Sequence, residues 1–135
     1  MKRTIIIITI IMLISNNCSA QTSTIRQIND MEKTCQHCID VGTNNFIDCE
    51  NIFYKQMDSI LDAVYKSIKR EMNTSNYEKL KKEQKEWLKR RDNYFKKQEI
   101  EIGKSDVGLE ADRALAIHKE ALFVKDRIMF LLKKL

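Results

Sequence analysis

The chain has 135 residues, with 24 lysines and arginines against 19 aspartates and glutamates, no proline and only three glycines. A chain of this length forms one domain with a modest core, and the lack of β-branched runs beyond residue 20 leaves an all-helical fold. The formal net charge of +5 describes a mixed, mildly basic surface and by itself indicates no particular partner.

The first twenty residues, MKRTIIIITIIMLISNNCSA, have the order of a secretory signal peptide. Two cations precede an apolar run from Ile5 to Ile14, and small and polar residues lead to Ala20, after which we expect cleavage. The apolar run is short for a permanent anchor across ~30 Å of hydrocarbon, so no transmembrane segment is expected. The remaining domain, residues 21–135, is predicted to be periplasmic or extracellular. A lipoprotein acylated at Cys18 is the alternative.

The first long helix is predicted from Asn45 to Met72, after a short helix from Ile25 to Met31. Its apolar residues recur at three- and four-residue steps. They are Phe46, Cys49, Phe53, Met57, Ile60, Val64 and Ile68, flanked by Tyr54, Leu61 and Tyr65. A capping box from Ser75 to Glu78 then predicts the start of the next helix, and the short gap predicts an antiparallel hairpin.

The second long helix combines a tryptophan with a strongly basic run. Its inward positions are predicted to be Tyr77, Leu80, Gln84, Trp87, Arg91 and either Tyr94 or Phe95. Residues 79–97 contain nine cations and three acids, a local charge of +6. Because charged side chains usually stay in water, a solvated outer face is the preferred interpretation. Binding of this face to an anionic surface is the alternative.

The third long helix is predicted to begin near Leu109, after an irregular segment with glycines at 103 and 108. Its apolar stripe steps three, then four residues throughout: Ala114, Ile117, Ala121, Val124, Ile128, Leu131 and Leu135. This spacing is typical of a helix packed at a shallow angle in a bundle, and the alanines permit close approach. The sequence therefore predicts a small antiparallel bundle of three long helices, a short N-terminal helix and a cysteine-pinned leader.

Three cysteines remain beyond the signal sequence, an odd number for an oxidising compartment. A disulfide between Cys38 and Cys49 would pin the leader to the first long helix, leaving Cys35 free or paired between chains. Two alternatives are a zinc site that adds His37 to the three cysteines, and redox chemistry at the C-x-x-C motif. The zinc site is not preferred, because the adjacent residues His37 and Cys38 rarely bind the same ion. The redox site is not preferred, because no predicted strand precedes the C-x-x-C motif.

Signals for catalysis or a cofactor are weak. The sequence has no glycine-rich phosphate loop, no H-E-x-x-H helix and no nucleophile elbow. His118 lies at the margin of the third helix, where a structural histidine is the ordinary interpretation. A non-enzymatic protein without a metal or cofactor is expected.

The order of several residues resembles the LprI family of lysozyme inhibitors. The matching positions are Cys38, Thr43, Phe46 and Cys49, then Asp58, Leu61, Asp62 and Tyr65, then Leu80, Gln84, Trp87, Arg91, Asp92 and Phe95. The resemblance covers about residues 32–95. It implies a small exported helical domain in which Leu61, Tyr65, Gln84 and Trp87 are motif residues of the core.

The departures from the family pattern concern the cysteines and one polar position. Asp62 stands where the family usually has asparagine, and Phe95 stands where many members have a cysteine. The second disulfide of those members is therefore absent. Cys35 is an addition to the pattern.

The motif residues Asp58 and Arg91 both lie on predicted inner faces. In a hairpin that turns near residue 74, position 58 lies opposite position 90 or 91. We therefore expect a buried carboxylate–guanidinium pair that fixes the register of the hairpin.

Two functions remain for the domain. The first is an inhibitor of a lysozyme-type glycosidase, with the irregular segment around Lys104, Ser105 and Asp106 and the turn after Cys38 as candidate contacts. The net charge argues against this function: many lysozymes are basic and the exported domain carries +3, so the two proteins would gain no long-range electrostatic attraction. The second is an envelope module whose basic helix binds an anionic surface. Export disfavours a nucleic-acid partner.

Overall fold

The computed structural model describes residues 2–42, 45–104 and 109–135, with side chains described from Ala20 onward. The described residues form four helices and no strand: α1 (Lys2–Val41), α2 (Phe46–Glu71), α3 (Thr74–Ile102) and α4 (Leu109–Leu132). The all-helical prediction is confirmed. The predicted short helix at residues 25–31 is instead part of the 40-residue α1.

Asparagine side chains cap the first turns of α2 and α3. Asn45 accepts a hydrogen bond from the backbone N–H of Ile47 at 2.8 Å, and Asn73 accepts one from Asn76 at 2.9 Å. Both caps have extended backbone, the conformation in which a short polar side chain reaches the exposed N–H groups of a helix start. The predicted capping box at Ser75 is therefore wrong, because Asn73 caps the helix two residues earlier.

Gly42 follows the last residue of α1 and turns the chain toward α2. Its φ of +63° lies in the left-handed region, where glycine carries no Cβ penalty. Its N–H donates to the carbonyl of Ile39 at 3.2 Å. This hydrogen bond satisfies one of the last carbonyl groups of α1 and ends the helix.

The core lies mainly between α2 and α4, with α1 packed on α2 and α3 packed on α4. Four residues of α4 have no exposed surface: Ala121, Val124, Ile128 and Leu131. They share one core cluster with Phe53, Met57 and Ile68 of α2. The predicted stripe of α4 is confirmed, and Ala121 leaves room for the close approach of the two helices.

The hairpin of α2 and α3 is looser than the sequence pattern predicts, because α4 supplies most of the packing for α3. The rings of Tyr54 and Phe95 meet edge-on at 5.9 Å between α2 and α3. Trp87 and Tyr94 of α3 instead stack on Phe123 of α4, at 5.8 and 4.8 Å between ring centroids. Trp87, the residue inside the basic run, is therefore buried against α4.

The family-motif residues occupy the core to different degrees. Leu61, Leu80 and Trp87 are buried, while Tyr65 and Gln84 are half-buried. Burial and a hydrogen bond with Tyr77 raise the pKa of Tyr65 to about 12. Leu88, the residue after Trp87, is exposed.

The disulfide between Cys38 and Cys49 joins the end of α1 to the first turns of α2, with the two Cα atoms 6.0 Å apart. Cys35 is a free, buried thiol on the same side of α1. Among the residues with described side chains, this disulfide joins the leader to the bundle, as the sequence predicts.

We expect the double substitution Cys38→Ala and Cys49→Ala to lower the free energy of unfolding by about 3 kcal/mol. The disulfide joins residues 11 positions apart, and without it the unfolded chain gains conformational entropy. The single change Cys35→Ala should cost less than half of that. Urea denaturation of residues 21–135 measures both. Recovery of a Cys35–Cys49 peptide from unreduced digests would contradict the pairing.

Candidate functional site

A buried carboxylate links three helices beside the disulfide. Glu50 of α2 is 5% exposed, and the Nδ1–H of His118 on α4 donates to its Oε2 at 3.0 Å. The imidazole also lies near the ring of Phe53, with the centroids 6.1 Å apart. A cavity of about 300 Å³ between α1, α2 and α4 reaches Glu50, His118 and Cys35.

This cluster of cysteine, carboxylate and histidine lacks the chemistry of a nucleophile. Burial, followed by the charge of Glu50 and a hydrogen bond to it, raises the pKa of Cys35 to about 11. The thiol is therefore protonated at neutral pH, whereas a nucleophilic cysteine needs a lowered pKa. The histidine is bonded to the carboxylate, so the arrangement fastens helices together.

The zinc alternative is not supported by the geometry. Cys38 and Cys49, two of its ligands, are joined in the disulfide. Among the described residues no group of three or more histidine, cysteine, aspartate or glutamate side chains is arranged to hold a metal ion. His37 is exposed on α1.

The polar link between α3 and α4 is made by Arg127, a residue that the sequence analysis did not single out. Its side chain lies over the ring of Trp87, 5.7 Å from the centroid, and the residue is 5% exposed. Its Nε donates to Gln84 Oε1 at 2.9 Å, and its Nη1 donates to Glu83 Oε1 at 2.8 Å. Lys134 Nζ lies 3.5 Å from the other oxygen of Glu83.

These contacts hold Glu83 in its charged form. Burial acts to raise the pKa of Glu83, but the hydrogen bond and charge of Arg127, with the charge of Lys134, outweigh it and lower the pKa below the usual range. Arg127 therefore forms a polar clasp with Glu83 and Gln84, which fixes the register of α3 against α4.

The predicted buried pair of Asp58 and Arg91 is not formed. Asp58 is exposed, and Arg91 donates from Nε and Nη2 to the neighbouring Asp92 at 3.1 and 2.9 Å. The guanidinium also lies over the rings of Trp87 and Phe95, one turn before and after it on α3. Arg91 therefore lies among these rings and pairs with Asp92, and it makes no ion pair with Asp58.

An open groove lies at the end of the bundle where α3 ends and α4 begins. We call it the acidic groove, with a volume of about 740 Å³. Its lining includes Ile47 and Asn51 of α2, Glu99 and Ile102 of α3, and Leu109, Glu110, Arg113, Ala116, Ile117 and Glu120 of α4. Apolar surface and carboxylates are thus exposed side by side at this end.

The carboxylates of the acidic groove carry an unfavourable interaction. Burial, followed by the charge of Glu99, raises the pKa of Glu120 above its usual range. Within the described part of the chain, no ion pair is recorded for Glu99, Glu110 or Glu120. Glu99 therefore acts on Glu120 as a like charge, and no ion pair among the described residues offsets it.

One candidate contact residue, Lys104, lies at this same end, two residues after the last residue of α3, and is exposed. Ser105 and Asp106 lie outside the described residues. The predicted turn after Cys38 begins later than expected, because residues 39–41 are the end of α1; Gly42 follows, and residues 43 and 44 lie outside the described residues.

The outer side of α3 carries the basic run. Lys81 and Lys89 are paired with acids one turn earlier, at 3.6 and 3.2 Å. For six other exposed cations the described residues provide no ion pair: Lys79, Lys82, Lys85, Arg90, Lys96 and Lys97. This surface is solvated in the monomer, as predicted.

A family model described as Lysozyme inhibitor LprI matches residues 35–120. The chain belongs to this family. The LprI match begins at Cys35, contains both disulfide cysteines and the whole of α2 and α3, and ends in α4 at Glu120. It thus extends beyond the motif residues into the third long helix. Comparisons with curated proteins and with solved structures returned no match.

Membership of the LprI family agrees with the expectation of a non-enzymatic protein, since the family is one of inhibitors. None of the helices in the described residues has both the length and the apolar character required to cross a membrane. Glu50 and Arg127 are buried charged residues that were not predicted from the sequence. Both are charged residues inside apolar stripes, the one signal that the sequence offered for them.

We expect the double substitution Glu83→Ala and Gln84→Ala to destabilise the protein by about 2–3 kcal/mol, because it leaves the buried guanidinium of Arg127 without acceptors. In an Arg127→Met background the same pair of changes should cost less than about 1 kcal/mol, since the charge is gone. A double-mutant cycle by urea denaturation measures this. Equal costs in the two backgrounds would contradict the clasp.

The clasp should also respond to acid. The folded pKa of Glu83 is lowered, so its contribution is complete above the unfolded pKa of a glutamate and is lost as the pH falls through the folded value. Glu83→Gln should therefore flatten the loss of stability on acidification. Melting temperatures from pH 7 to pH 3 show the difference from the unsubstituted protein.

Proposed function

We propose that this protein is an exported, non-enzymatic inhibitor that binds a lysozyme-type glycosidase of the cell wall. The observation that carries the proposal is the family match across residues 35–120, which spans the disulfide, α2, α3 and half of α4. The first twenty residues support export, with cleavage after Ala20 and a periplasmic or extracellular destination.

Inhibition here requires binding without chemistry. A glycosidase of this type uses two carboxylates that flank the scissile bond in an open cleft. A rigid bundle inhibits it by placing a side chain in the cleft or by covering the cleft. The end of the bundle beyond α3 is suited to this role, since Lys104 is exposed there and irregular segments on a rigid scaffold commonly carry binding groups.

A second candidate function is binding to an anionic envelope surface through the outer side of α3. The six exposed cations without a described ion pair favour it. Such binding weakens with salt, because the charges are exposed and screened over about 8–10 Å. The family match gives no support to this candidate, so it ranks second.

The folded, disulfide-intact domain of residues 21–135 is expected to slow lysis of cell walls by a lysozyme at near-stoichiometric concentration, without a metal. A panel of animal and phage lysozymes, assayed by turbidity at two salt concentrations, tests this. The triple change Lys104→Ala, Ser105→Ala and Asp106→Ala should weaken inhibition and leave the melting temperature nearly unchanged, since these residues lie beyond the end of α3.

The matched control for this triple change is Arg70→Ala with Glu71→Ala. It also removes one cation and one anion, but from the exposed end of α2 at the opposite end of the bundle. Inhibition should be unaffected by it. If the domain inhibits no enzyme of the panel and binds anionic vesicles in a salt-sensitive way, the envelope-surface function would be favoured instead.

A further inference from the structure

The charges of the domain are separated along α3 and α4. Residues 79–97 carry a local +6, whereas residues 98–120 contain six acids and three cations, a local −3. The acidic part includes Glu99, Glu110 and Glu120 in the acidic groove. Because exposed charges are screened beyond about 8 Å at physiological salt, a partner at this end meets the local negative charge rather than the net positive one.

The acidic groove also exposes apolar surface next to these carboxylates. Leu109 is 70% exposed, and Ile102 is half-buried beside it. A lysine or arginine side chain needs both properties, since its alkyl stem packs on apolar surface while its charged head is paired. A groove lined only by acids would offer no place for the stem.

The electrostatics of the acidic groove favour a cation from outside. Glu99 and Glu120 repel one another, and Glu120 is partly buried, so its charge is poorly solvated. Arg113 is the one cation in the lining, and no ion pair within 4 Å joins it to the groove acids in the described structure. A bound cation would relieve this repulsion, and relief that occurs only on binding adds to affinity.

We infer that the acidic groove is the surface that binds the glycosidase, and that its occupant is a lysine or arginine side chain of a basic enzyme. The inference rests on the proposed function and specifies its partner. The groove sets a preference for basic enzymes, although the domain as a whole is positive. Like-charge repulsion by the basic run would then orient the enzyme toward this end.

The decisive variant is the double change Glu99→Gln and Glu120→Gln, which keeps the shape of the groove and removes two charges. Its matched control is Glu71→Gln with Glu78→Gln, which makes the same charge change at the opposite end of the bundle. Binding to a basic lysozyme is measured by calorimetry at low and at physiological salt. We expect the groove variant to bind at least tenfold more weakly and the control to stay within twofold of the unsubstituted domain.

Circular dichroism and thermal melts show that each variant is folded. The groove variant should melt at or above the temperature of the unsubstituted domain, because it removes a repulsive pair. Equal binding of the groove variant and the control, with inhibition retained, would overturn the groove and leave the proposed function in place.

A second probe separates the two ideas if the unsubstituted domain inhibits no lysozyme, an outcome that would reject the proposed function. The probe is an amphipathic peptide of lysine and leucine, titrated with the same three proteins. Binding that is lost only in the groove variant would support a groove for cationic side chains. No binding, or equal binding to all three proteins, would overturn the inference as well.

Discussion

Burial of one face of α4 against α2 is the interaction on which the other helices depend. Four residues of α4 have no exposed surface, and three of them, Val124, Ile128 and Leu131, are large aliphatic side chains whose burial is worth about 1.5–3 kcal/mol each. In contrast, α3 buries only Leu80 and Trp87. A helix so highly charged cannot supply a core of its own, and its position follows from α4 through the stacked rings and Arg127.

Much of this architecture could be predicted from the sequence, because a regular apolar stripe determines both the limits of a helix and its buried face. The helices α2 and α4 begin and end close to the predicted residues, and the disulfide follows from three cysteines of which two flank a bend. Periodicity states which face is buried. It does not state which helix covers that face.

The predicted pair of Asp58 and Arg91 was wrong for this reason. The pairing of Asp58 with Arg91 assumed that the inner face of α3 meets α2, whereas α4 covers most of that face. Gln84, expected only as a core residue, is an acceptor for Arg127. An arginine directly before Ile128 in an apolar stripe indicates a buried charge, but the sequence offers several nearby acids and amides as partners and no means to choose among them.

The buried thiol of Cys35 has a consequence for how opening of the domain can be observed. A protonated, covered cysteine reacts with a thiol reagent only after α1 has separated locally from its neighbours, and the thiolate forms readily only once the carboxylate of Glu50 is no longer beside it. The disulfide three residues later stays closed during such an opening. The rate of labelling at this single position therefore reports the local unfolding equilibrium of the leader, separately from global unfolding of the bundle.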